Sequence, residues 1–93
     1  MKKIHKTDAD GHNNLGILYA EGKGVPQSYQ RAIELYRIAA AQGLASAEYN
    51  LGIAYMNGWG VEKDEAQAVA WYQKSAQQAY GNENGIMYQI HPT

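Results

Sequence analysis

Histidines, an acidic cluster and glycine loops are the features of this sequence whose residue types could do chemistry, so their spacing is the first test. His5, His12 and His91 would be the nitrogen ligands of a metal site. None is paired at i, i+4, and a zinc site without cysteine needs three or four convergent histidine or carboxylate ligands in tight local spacing. No metal site is expected. Glu62, Asp64 and Glu65 stand close together, but where a helix should begin. Carboxylates there favour the positive end of the helix dipole, and that role is preferred over an acid–base pair. No Ser or Thr sits in a nucleophile elbow, and the glycine loops lack the Lys and Ser or Thr that close a phosphate loop. With zero cysteines, thiol nucleophiles, thiolate metal sites and disulfides are excluded together. The expectation is a chain that needs no cofactor and is not an enzyme.

Composition narrows the partners. Ninety-three residues give room for one small domain with a modest core. A hydrophobic share of 45% with 18% charged residues is that of a soluble globular chain. No stretch approaches the roughly 20 apolar residues that cross a bilayer, so no membrane span is expected. A net charge of -1 argues against an electrostatic grip on nucleic acid. Lys2, Lys3 and Lys6 run into Asp8 and Asp10 rather than into the apolar run of a secretory signal. The expected location is the cytoplasm.

The elements that must position any functional residue are set by internal repetition. Asn14-Leu15-Gly16-Ile17 recurs as Asn50-Leu51-Gly52-Ile53, an offset of 36 residues. At that offset Tyr19, Gly22, Gly24 and Val25 match Tyr55, Gly58, Gly60 and Val61. Ala32, Tyr36, Ala40 and Gln42 likewise match Ala68, Tyr72, Ala76 and Gln78, without a gap. Each unit reads as two helices joined by a glycine loop. In helix A, Leu15, Leu18 and Tyr19, then Leu51, Ala54 and Tyr55, form one apolar face. Gly22 and Gly58 should close it. Helix B carries Ala32, Leu35, Tyr36, Ala39 and Ala40, then Ala68, Trp71, Tyr72, Ser75 and Ala76, with Ser28 and Asp64 as N-caps. Gly16 and Gly52 stand inside helix A at one phase, which suggests a close backbone approach. Repeat one is expected over residues 10–45 and repeat two over 46–81. Ala79 replaces the stop at Gly43, so the second helix B should run on or turn toward Gly81. Residues 82–90 read as a shortened third helix A that caps the stack.

The pattern Leu15-Gly16, Tyr19, Gly22-Lys23-Gly24-Val25, Ala32, Tyr36 and Ala40-Ala41-Gln42-Gly43 resembles the Sel1-like repeat, a tetratricopeptide-like family. The resemblance covers residues 10–80. It implies an all-α fold, a right-handed superhelical solenoid of α/α helix pairs. It further implies a concave face of helices A that holds a peptide or protein partner, as in adaptors of bacterial signalling and host interaction.

On helix A, the side turned away from helix B carries Asn13, Ile17 and Ala20 in the first unit, and Tyr49, Ile53 and Met56 in the second. These are the expected partner-binding residues. The alternative for Ile17 and Ile53 is packing in the seam between repeats. Tyr49 and Met56 suit adaptable interfaces. Trp59, between two turn glycines, is either a binding hot spot or a ring folded over its own loop. An adaptor is the leading function. An immunity-type protein that occludes a bacterial toxin, or a self-assembling structural repeat, are the alternatives. Two units and a fraction leave apolar ends uncovered, so a homo-oligomer is expected.

Overall fold

Within each repeat the same local signals start and stop the helices. The structure, a computed structural model, describes residues 6–81. Four helices follow in order: α1 (Lys6–Glu21), α2 (Tyr29–Ala41), α3 (Ala45–Asn57) and α4 (Glu65–Gly81), with no strand among the described residues. α1 and α3 are helices A, and α2 and α4 are helices B. The third helix A expected over 82–90 lies outside the described residues.

Ser28 Oγ accepts the Arg31 amide at 3.1 Å and Asp64 Oδ1 accepts the Gln67 amide at 3.0 Å, so both expected N-caps are made. Helix A ends in both units on a glycine in the left-handed region, Gly22 at φ 71° and Gly58 at φ 72°. The loop then folds back identically. Ser28 N–H donates to Tyr19 O at 2.8 Å, and Asp64 N–H donates to Tyr55 O at 2.9 Å. α4 is still helical at Gly81 and spans 17 residues against 13 for α2. That is the consequence of Ala79 standing where Gly43 stops the first helix B.

α1 packs on α2 and α3 on α4, while α2 against α3 joins the two hairpins. Small residues set the spacing. A Cβ on Gly52 would lie 2.5 Å from the Tyr72 ring and 3.2 Å from Ala68 O, and one on Gly16 would lie 2.8 Å from Tyr36 Cε1. Each glycine is therefore the seat of the tyrosine on its own helix B. The core between the hairpins is built from Ala32, Ile33, Tyr36, Ala39, Ala40, Ala47, Leu51 and Ala54.

Two features depart from the repetition of the sequence. Leu51 is fully buried, whereas Leu15 and Leu18 are each 39% exposed. Leu15 holds the repeat position of Leu51, but α3 has the preceding helix B over its flank and α1 has no such neighbour among the described residues. The second departure is Glu48, 0% exposed, with neither carboxylate oxygen hydrogen-bonded. Burial raises its pKa above the ordinary value, with the Lys74 ammonium opposing that shift.

Candidate protein-interaction groove

The face of helices A is shaped by two depressions that adjoin at Asn50. One, of about 560 Å³, runs between the middle of α1 and the start of α3, with Asn13, Ile17 and Tyr49 in its lining. The other, of about 500 Å³, lies between the ends of α1 and α3 and the start of α2, with Ala20, Ile53 and Trp59 in its lining. Ile33, Tyr36 and Ala54 also line the second, which gives it an apolar lining. Tyr36 keeps its phenolic proton tightly, because burial raises its pKa and the Glu21 charge adds to that.

The expected residues meet different fates. Tyr49 is 53% exposed, its ring tilted against Tyr72 with centroids 5.4 Å apart. Ile17, Ala20 and Ile53 are half-buried. Ile17 and Ala20 pack on the core, and Ile17 also faces the first depression. Met56 is half-buried and lines neither depression. Asn13 differs from expectation. It is buried, and its Oδ1 accepts from Asn50 Nδ2 at 3.0 Å, so it bridges the two repeats rather than facing outward. The short asparagine can reach across only because α1 and α3 run side by side at this height.

Trp59 is 42% exposed and does not lie over its own loop. Its ring stacks on Tyr29, at the start of α2, with centroids 5.1 Å apart and planes 9° from parallel. Tyr29, Asn50 and Glu21 were not among the expected site residues. Asn50 repeats Asn14 and therefore reads as scaffold, and Tyr29 matches Glu65, which gives its position no aromatic signature.

Asp64, Glu65 and His12, considered above for chemistry, have structural employment. Asp64 caps α4, and Glu65 stands in the first turn of that helix, 3.9 Å from Lys63 Nζ. His12 Nδ1 lies 2.8 Å from the Asp8 carbonyl oxygen of its own helix. No group of three or more metal-ligating side chains occurs among the described residues, and His5 and His91 lie outside them. No described helix is long and apolar enough to cross a membrane.

Comparison with known proteins agrees with this architecture. The family model described as "Sel1 repeat" matches residues 9–44 and again 45–80. A Sel1 repeat protein from Oxalobacter formigenes is 38% identical with a TM-score of 0.76, over 83% of this chain and 32% of that one. The protein c5321, a protective antigen of uropathogenic Escherichia coli with an SLR fold, is 40% identical with a TM-score of 0.74. That match covers 78% of this chain and 16% of c5321. The chain thus spans about a third and about a sixth of the length of these two relatives. No curated protein matches it. With two successive repeats covering most of its length and the helix pairs stacked as the pattern requires, the chain belongs to the Sel1 repeat family.

Proposed function

We propose that this chain is a non-catalytic adaptor that holds an extended segment of a protein partner along the groove of α1 and α3. Sel1 repeat proteins generally mediate protein–protein interaction. The finer reading rests on the two adjoining depressions, beside which Tyr49 and Trp59 remain 53% and 42% exposed. Covering a large apolar side chain completely is worth about 1.5–3 kcal/mol, and aromatic residues at the centre of an interface carry most of its energy. Of the residues that differ between repeats, Asn13, Tyr49, Ala20 and Trp59 line the depressions, whereas Lys23 and Met56 do not. Asn13 becomes Tyr49, Ala20 becomes Met56 and Lys23 becomes Trp59, while Leu-Gly-Ile at 15–17 and 51–53 is unchanged.

Charge points to the chemistry of the partner. Between residues 8 and 21, and throughout α3, there is no lysine or arginine, whereas Asp8, Asp10 and Glu21 lie on α1. Lys23 offsets Glu21 through an ion pair at 3.3 Å. The helix A layer therefore favours a neutral or basic segment with an apolar or aromatic anchor. Action in the cytoplasm completes the proposal, and cell fractionation tests it.

The test is selection of extended peptides on the wild-type chain, followed by anisotropy titration against variants. Tyr49→Ala and Trp59→Ala should each weaken the selected peptides about tenfold or more, the loss expected of a hot spot. Met56→Ala should matter less. Equal affinity for all the variants, or equal recovery of every partner in pull-downs with them, would remove the groove from the proposal.

A further inference from the structure

Inside the chain, α2 seats on α3 through contacts that can be named. Tyr29 stacks on Trp59. Gly60 admits the start of α2 so closely that a Cβ there would lie 2.7 Å from Tyr29 O and 3.0 Å from Ile33 Cγ1. Arg37 Nη2 donates to the Tyr55 hydroxyl at 3.1 Å. Leu51 and Ala54 are buried at this junction, 0% and 4% exposed.

Carried outward by one repeat, these positions fall on two flanks that no other described helix covers. On α1, Leu15 and Leu18 correspond to Leu51 and Ala54 and are each 39% exposed. Gly24 corresponds to Gly60, and a Cβ there would meet nothing within 4 Å. On α4, Val69 corresponds to Ile33 and is 46% exposed. Glu65 and Gln73, which correspond to Tyr29 and Arg37, are exposed as well.

The replacements at these flanks complement each other. Where the junction has the Tyr29–Trp59 ring pair, the flanks offer Glu65 and Lys23, of opposite charge. Ile33 and Ala54 give way to Val69 and Leu18, so a loss of volume on one side meets a gain on the other. Gln73 keeps an amide donor for the Tyr19 hydroxyl, as Arg37 serves Tyr55. Glu65 and Lys23 currently engage Lys63 and Glu21 in surface ion pairs at 3.9 and 3.3 Å. Such pairs reorganise readily.

We infer that the chain stacks head to tail on a second copy of itself. The α4 flank of one copy (Glu65, Val69, Gln73) seats on the α1 flank of the next (Leu15, Leu18, Lys23), as α2 seats on α3. The contact is heterologous, so each added copy presents a fresh flank and growth stays open. This surface is separate from the groove, and its failure would leave the adaptor proposal standing.

The experiment is sedimentation equilibrium of the full chain over a concentration series, with Leu18→Asp and Val69→Asp. Wild type should rise above 10.3 kDa as concentration increases. Each variant alone should hold at 10.3 kDa, since every junction needs one intact flank of each kind. An equimolar mixture of the two should form one junction and stop at a dimer. Both positions are exposed, so far-UV circular dichroism should remain that of the wild type. As a second pair, Lys23→Glu and Glu65→Lys should each weaken association several-fold, and the double charge swap should restore it. A wild type that stays monomeric, variants that associate normally, or a mixture that remains at 10.3 kDa would each overturn the inference.

Discussion

Replacing Gly52 by alanine should destabilise the chain, although alanine is the better helix former. In an unobstructed helix interior the change gains about 1 kcal/mol. Gly11 is such a place: a Cβ there meets nothing within 4 Å. At Gly52 the Cβ would lie 2.5 Å from Tyr72 Cδ1 and Cε1, more than about 1 Å inside the optimum carbon–carbon separation. The ring has little freedom to yield, since Tyr49 lies against it at 5.4 Å. The helix cannot slide either, because Ala68 O would be 3.2 Å away. Overpacking of this kind costs about 1–3 kcal/mol, so the helix-propensity gain is cancelled and the net loss should reach up to about 2 kcal/mol. Urea titration followed by far-UV circular dichroism reads this directly. With a slope of about 1 kcal/mol per molar for a small domain, the midpoint should fall by up to about 2 M for Gly52→Ala and rise by about 1 M for Gly11→Ala. In a Tyr72→Leu background the penalty should shrink or reverse, because the obstructing ring carbons are gone. A Gly52→Ala variant as stable as Gly11→Ala would refute the close-approach account of how helix A meets helix B.

Other perturbations probe other links. Glu48→Gln should stabilise the chain at pH 8, because it removes a charge that burial disfavours while keeping the shape of the side chain. Because burial raises the Glu48 pKa, the folded state binds the proton more tightly than the unfolded one. Its contribution is complete below the ordinary value of 4.5 and declines as pH rises through the folded-state value. A pH series of urea midpoints should therefore slope downward over that window in wild type, and the Gln variant should lose that part of the slope. Leu51→Ala should cost about 2–5 kcal/mol as a buried truncation, whereas Leu15→Ala should cost under about 1 kcal/mol; equal losses would contradict the difference in their surroundings. Ser28→Ala and Asp64→Ala should each cost about 1 kcal/mol through the lost N-cap, measurable as lowered midpoints with unchanged slope.

What the sequence made legible was everything that repeats. Leu15-Gly16 and Leu51-Gly52 fixed the phase of helix A, Gly22 and Gly58 its end, and Ser28 and Asp64 the start of helix B. Each of these signals acts within a few residues or between partners of one hairpin, so periodicity carries it. The features it missed arise where one hairpin meets the next. Asn13 holds the position of Tyr49, yet it turns inward to Asn50. Trp59 finds Tyr29, thirty residues earlier in the chain, instead of its own loop. Glu48, at the position of His12, is sealed in while His12 stays half-buried. Equivalent positions share a local backbone but not neighbours, and the neighbours come from the superhelical rotation that no spacing of apolar residues encodes. For the groove, the sequence marked the positions that vary, and the structure supplied which of them are reachable.

The amide–amide contact between Asn13 and Asn50 bears on how selective the groove can be. It ties α1 to α3 directly, while the larger packing areas run through α2. A neutral hydrogen bond contributes about 0.5–1.5 kcal/mol net, little more than twice the thermal energy at the upper end. Parting the walls of the proposed groove would break this bond and also disturb the core that both helices share with α2, so an occupant that fits the existing width is favoured over one that must widen it.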